Sequence, residues 1–295
     1  MWRIWLRGAA EFLGSIAGAI LLLSLLVVAA QPPHGIWPFA TNVLEQFLRA
    51  VAGDFGRSTA TGAPAMIVAW KAFPATAQLM ASGAVLALLI GIPLGFLLSA
   101  GRTLRAAAPL LQIVTAIPVF LIALALIWIA LRSFHMAAPL HSRNTSLASL
   151  LNRGDWSGAW FLYLLPALTV GAAGAARLQL SLQRAADIAW AAPYRSGLRM
   201  MGLGLFDINL RFALPEIVAA MLRDLRAFVL ALISAAVIVE WIFQIGGAAA
   251  LFLKAAASHD WSVVSAILFL FALLVIAVGF LGDVFASLIL SEEAR

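Results

Sequence analysis

Arg223, Asp224, Arg226, Glu240 and Asp283 are ionisable residues standing in or beside the most apolar stretches of this chain. Inside a membrane such groups cost about 2.5–3.5 kcal/mol each at a helix centre and usually face a water-filled path. Arg223 and Arg226 are one helical turn apart, so on one helix they could line a cavity and meet anionic groups of a passing solute. The alternative is that the apolar segment begins near Ala227 and the three charges at 223–226 flank it. Glu240 falls near the far end of the same segment, at a mouth or in a structural hydrogen bond. Asp283 is enclosed by VGFLGDVFASL, which predicts a partner on another helix or a place at a seam between subunits.

Other chemistry is thinly provided for. The chain has no cysteine, which removes disulfides, thiol catalysis and cysteine-ligated metals. Its histidines, His34, His135, His141 and His259, fall in predicted loops without ligand spacing, so no metal site is expected. There is no GxxxxGK[ST] phosphate loop, so the chain cannot hydrolyse ATP itself. No HExxH and no Ser/His/Asp arrangement is present, which leaves a membrane enzyme without a catalytic constellation. No cofactor is expected in this chain, and energy for any pumped process has to come from a partner.

The elements that would hold these residues are membrane helices. Of 295 residues 64% are hydrophobic and only 11% charged, against about 25% charge in an ordinary soluble domain. Apolar runs of about 20 residues read as spans, since that length crosses roughly 30 Å of hydrocarbon. Spans are predicted at 11–30, 76–100, 108–131, 159–176, 222–243 and 262–290. The fold class is therefore an all-α polytopic membrane protein with about six transmembrane helices. Pro93 and Pro118 fall inside spans and are expected to kink them. The first span follows Arg3 and Arg7 and ends at VAA, so a cleaved signal competes with a retained anchor; the length of the run favours the anchor. The domains read as an anchor plus periplasmic segment (1–75), a core (76–290) and a short tail (291–295).

The basic residues set the sidedness. With the N-terminus in the cytoplasm, Arg3, Arg7, the short 101–107 turn with Arg102 and Arg105, and the arginine-rich stretch 177–226 are all cytoplasmic. Arg49, Arg57, Lys71, Arg132, Arg143, Arg153 and Lys254 fall outside, spread over longer loops. Both termini are then cytoplasmic, and the net charge of +6 reads as topology rather than as a nucleic-acid surface. Trp5, Trp37, Trp156, Trp160, Trp241 and Trp261 lie near predicted span ends, as interfacial tryptophan should.

Between the fourth and fifth spans stands YRSGLRMMGLGLFDINLRFALP, residues 194–215. A short helix over 193–201 is predicted, with Pro193 in its first turn and Gly202 as a left-handed cap. Gly204 would permit a second sharp turn, a second short helix would run from Leu205 to Leu214, and Pro215 would then break or redirect the chain. Two short helices around a glycine turn would expose Leu203, Leu205 and Phe206. Such a tip suits a partner groove or the bilayer surface.

The spacing of this stretch resembles the EAA loop of ABC-importer permeases. That pattern is Glu-Ala-Ala, three residues, Gly, nine residues, then Ile, any residue and Leu-Pro. Gly202 takes the glycine position, Phe212 the isoleucine and Leu214-Pro215 the Leu-Pro; Ser196-Gly197-Leu198 stands in place of the triplet. Elsewhere GDFGRS (53–58), FPAT (73–76), IGIPLG (90–95), IPVF (117–120), LLPALT (164–169), VEWIF (239–243) and HDW (259–261) occur in the order of the dipeptide, oligopeptide and nickel branch. The chain is most similar to the first permease subunit of peptide importers. It departs from the branch at Gln78, where an acidic residue is usual, at Leu290-Ser291 in place of Asp-Pro, and at QPPHG (31–35).

The resemblance implies a function and partners. The loop at about 184–216 would be the coupling helix that docks on a cytoplasmic ATPase, with Gly202 its turn and Ser196, Leu203, Gly204, Leu205, Phe206, Leu214 and Pro215 its working residues. Pro118, Arg223, Asp224, Arg226 and Glu240 are candidates for the translocation path, and Pro93 and Asp283 for structural roles within the membrane. The implied function is import of peptides or similar small solutes across the bacterial inner membrane by alternating access. The implied partners are a second related permease, two cytoplasmic ABC ATPases that bind ATP and magnesium, and a periplasmic binding protein. The competing reading is a self-sufficient secondary transporter or channel, which would be expected to carry an internal repeat.

Overall fold

In hydrocarbon every backbone amide and carbonyl has to be paired within its own segment, so long uncharged runs become helices. The computed structural model of the chain describes residues 2–30, 36–100, 117–134 and 163–293. In chain order the helices are α1 (Trp2–Ala30), α2 (Ile36–Val51), α3 (Ala65–Ala100), α4 (Val119–Phe134) and α5 (Leu165–Ala191). Two short pieces follow, α6 (Tyr194–Met200) and α7 (Leu205–Ile208), and a π-turn over Asn209–Ala213 leads into α8 (Leu214–Arg223). The chain continues through α9 (Leu225–Ile242), α10 (Ala248–Ala257) and α11 (Trp261–Glu293). Among the described residues there is no strand, only an isolated bridge between Arg57 and Pro64.

The fold is all-α and polytopic. Among the described residues, helices long and apolar enough to cross a bilayer contain Ala10–Ala30, Ala65–Ser99, Leu225–Ile242 and Trp261–Leu290. The predicted span at 108–131 is described only from Ile117 onward, where its second half forms α4. Of the predicted span at 159–176, the part from Leu165 onward lies in α5, which runs past Arg177 to Ala191; 159–162 lie outside the described residues. A charge does not end a helix when it is partnered: Arg177 meets Asp224 at 2.5 Å, and Gln179 donates to Gln183 at 2.9 Å. Likewise α3 starts at Ala65 and takes Lys71 and Pro74 into its first turns.

Pro93 lies inside α3. Pro118 is not interior to a helix in the described region. It precedes α4, and its carbonyl accepts from the amides of Leu121 and Ile122 at 2.9 and 3.4 Å. Proline suits a helix start because its missing N–H has no partner to lose there. The 31–35 stretch with His34, the 101–107 turn with Arg102 and Arg105, and the loop carrying His135, His141, Arg143, Arg153, Trp156 and Trp160 lie outside the described residues.

Two compact units organise these helices. The first comprises Met1–Leu79, His135–Pro166 and Ala236–Ala277; the second comprises Met80–Phe134, Ala167–Ala235 and Val278–Arg295. In the first, Phe55 is buried with its ring 5.0 Å from that of Phe269. In the second, glycines of IGIPLG let α3 and α5 approach closely. A Cβ on Gly91 would stand 2.8 Å from the Ala175 carbonyl oxygen, and one on Gly95 would stand 3.1 Å from Leu182. Small residues at a helix seam are the usual means of close packing in membranes, where the hydrophobic effect does not drive helices together.

Candidate functional site

The loop between α5 and α8 is built on the last turns of α5. Leu182, Ala185, Ala186 and Ala189 recur at helical spacing on one face, and this face buries Ala213 and Ile217. A helix packs its apolar stripe inward at that period, so the loop sits on a floor of small side chains. Above the floor, α6 ends in a Schellman turn. Gly202 has φ +88°, its amide donates to Arg199 O at 3.0 Å, and the Leu203 amide donates to Leu198 O at 3.2 Å. The left-handed cap expected at Gly202 is where the structure has it.

Three details differ from the sequence expectation. Gly204 has φ −66° and ψ 151° as the cap of α7, a conformation open to any residue, so Gly202 alone carries the sharp turn. Pro215 does not break the chain. It lies in the first turn of α8, and the π-turn before it resets the helical register. The Leu214 amide reaches back to Asn209 O, one residue beyond the α-helical partner, a widening that accommodates the proline ring without ending the helix. Leu203 is half-buried, and the tip is instead made by Met200 (84% exposed), Phe206 (75%), Met201 and Leu205. Neither charge nor periodicity marks the two methionines in the sequence.

Side-chain ties hold the two halves of the loop together. The Tyr194 hydroxyl donates to Glu216 Oε2 at 2.9 Å. The Arg195 guanidinium donates to Asn209 Oδ1 at 2.8 Å, and the Tyr194 ring lies 6.4 Å from that of Phe212. Ser196, which occupies the position of an acidic residue, turns its hydroxyl back to Pro193 O at 2.8 Å. Beside the tip runs an apolar groove of about 240 Å³, lined by Phe96, Trp190, Phe206, Leu210, Leu214 and Ile217 among others. The result is an apolar protrusion whose backbone is fixed at both ends.

From this loop α8 runs to Asp224, where the helix is interrupted (φ −87°, ψ 1°) before α9 begins at Leu225. Two ion pairs flank the interruption: Arg177 of α5 with Asp224, and Arg226 of α9 with Asp283 of α11. Glycines make room for the second. A Cβ on Gly279 would overlap the Arg226 side chain, and one on Gly282 would overlap the Leu222 carbonyl. Arg223 is exposed. Arg226 and Asp224 are thus each held by a counter-charge.

In the first unit, motif residues far apart in sequence meet at helix ends. Glu240 is fully buried, and its Oε2 accepts from the Ala250 amide at 2.8 Å. Thr76 Oγ1 accepts from the amides of Ala248 and Ala249 at 2.7 and 3.3 Å. Together they satisfy the free amides at the start of α10, the donors a helix leaves unpaired. Gly247 sits against the Glu240 carboxylate, where a Cβ would overlap it.

Nearby in sequence, α10 closes at His259, a non-glycine residue in the left-handed region (φ +57°), with the Asp260 amide donating to Ala255 O at 2.8 Å. Asp260 then caps α11 through the Val263 amide and accepts the Ser58 hydroxyl at 2.6 Å. FPAT, VEWIF, GDFGRS and HDW thus contribute anchors of helix ends.

The assembled features are an all-α fold with apolar helices long enough to cross a bilayer, paired charges at the α8–α9 interruption and a braced apolar loop at the Gly…Leu-Pro spacing. Residues 87–291 match the family described as binding-protein-dependent transport system inner membrane component. The chain belongs to this family. The matched segment takes in the loop, the charged junction, Glu240 and Asp283. Compared with curated proteins, the chain finds no match. As a member of a permease family, the protein is the membrane-embedded component of its transport system and not the system's ATPase; the family implies ATPase and binding-protein partners.

Proposed function

We propose that this permease is one transmembrane subunit of an ATP-driven ABC importer that moves peptides or similar small solutes inward across the bacterial inner membrane. It works by alternating access with a second related permease, two cytoplasmic ATPases and a periplasmic binding protein. The observation that carries this reading is the loop at 194–215. An apolar tip on a Schellman turn, tied across its base by Tyr194–Glu216 and Arg195–Asn209, can transmit a push, and α8 leads from it directly into the Asp224 interruption. The charge rule puts this loop in the cytoplasm, where an ATPase would meet it. The peptide assignment is supported by the ordered motifs of the peptide and nickel branch.

Detergent-solubilised protein should bring down an ABC ATPase, and solute uptake should stop when ATP is depleted with the ion gradient intact. Uptake that persists on the gradient alone, with no ATPase recovered, would make the protein a secondary transporter. The ligand of the co-operating binding protein names the solute; one with no peptide-like backbone would sink the peptide assignment while leaving the importer reading standing.

A further inference from the structure

Helix α2 has three faces, and its packing accounts for two of them. Val43 and Ala50, seven residues apart, are buried, and α2 packs on α1. A second face is polar: Asn42, Glu45, Gln46 and Arg49 border a cleft of about 200 Å³ with Val27 and Val28 of α1, and Arg49 pairs with Glu45 at 2.5 Å. The third face is apolar and uncovered. Leu44, Leu48 and Val51 are 59%, 59% and 58% exposed. At about 100° per residue they fall within an arc of roughly 60°, well over 100° from the middle of the polar face.

We propose that Leu44, Leu48 and Val51 insert into the boundary between acyl chains and headgroups, so that α2 lies along the membrane surface at the C-terminal end of α1. The argument is one of continuity. The cleft brings the polar face of α2 beside Val27 and Val28, in the last turns of the candidate span Ala10–Ala30. That end of a span is where hydrocarbon meets water. There, a helix packed on α1 has a lateral contact with it, one side toward lipid and one toward water, which are the three environments its three faces fit. A surface-lying amphipathic helix has this distribution. The glutamate and arginine of α2 are paired with one another, so insertion rests on apolar contact and needs no anionic lipid. The proposal is independent of the transported solute.

Because the chain contains no cysteine, single-site labels test this directly. Leu44→Cys, Leu48→Cys and Glu45→Cys variants carry a nitroxide in the full-length protein, purified with its partner subunits and reconstituted in phosphatidylcholine bilayers. Collision with oxygen, which concentrates in lipid, is compared with collision with a water-soluble nickel chelate. The labels at 44 and 48 should favour oxygen several-fold, and the label at 45 should favour the chelate. Preference for the chelate at 44 and 48 would overturn the proposal in favour of a solvated face. Shielding from both reagents there would overturn it in favour of a protein partner.

Discussion

Arg226 of α9 and Asp283 of α11 form an ion pair beside the Arg177–Asp224 pair that flanks the interruption between α8 and α9. The groups are partly exposed, so in water each pair would contribute no more than about 1 kcal/mol. Their geometric role is larger, because each fixes one side of the break to a different helix. Arg226→Asp sets two carboxylates against each other and is expected to lower the thermal midpoint in detergent. The exchange Arg226→Asp with Asp283→Arg should recover most of that loss. A double variant no more stable than the worse single one would show that the pair does not hold the junction.

The turn at the loop predicts a sharp contrast between neighbouring glycines. Gly202→Ala places a side chain in the left-handed region and should cost about 1–2 kcal/mol locally. Gly204→Ala, at an ordinary extended φ, should be close to neutral. Hydrogen exchange over 198–206 reads the difference: faster with the first substitution, unchanged with the second. Equal effects would contradict the assignment of the turn to Gly202.

At the start of α10, Thr76→Val removes the acceptor of two buried amides and should destabilise by about 1–3 kcal/mol. Thr76→Ser keeps the oxygen and should retain most of the stability. Gly247→Ala forces a methyl into the Glu240 carboxylate and should cost about 1–3 kcal/mol as overpacking. Thermal unfolding of the purified protein ranks the variants, and a Val variant as stable as the Ser variant would remove the capping role.

Asp260 serves two partners at once, the first turn of α11 and the Ser58 hydroxyl. Asp260→Ala should therefore cost more than an ordinary cap loss of about 1 kcal/mol. Ser58→Ala and Asp260→Ala should be non-additive by about 0.5 kcal/mol or more in a double-mutant cycle. Strict additivity would mean that the bond does not contribute.

How much of this was legible beforehand depends on the range of the interaction. The four candidate spans among the described residues follow from uninterrupted apolar runs, and Gly202 with Leu214-Pro215 follows from local spacing. The apolar run at 159–176 gives a span but not the end of α5, because Arg177 is held by Asp224, which stands 47 positions away and is invisible to a local reading. Residue type alone marks Pro215 as a breaker, because the π-turn that accommodates it has no signature in the sequence. Ser58–Asp260 and Thr76–Ala248 join residues separated by 202 and 172 positions. Their motifs could be flagged by type and order, but only the folded chain brings them together at helix ends. Met200 and Met201 do not stand out in the sequence, because an apolar residue in an apolar chain carries no contrast until exposure is known.

The most direct test of the account is a cross-link from the loop tip. In this cysteine-free chain, Met200→Cys and Phe206→Cys accept a photoactivatable benzophenone maleimide at two of the most exposed positions of the loop. Illumination of the assembled, transporting complex is predicted to give a covalent adduct between this permease and a cytoplasmic ABC ATPase from both sites. A complex that transports its solute yet gives no ATPase adduct from either site would contradict the assignment of 194–215 as the coupling loop.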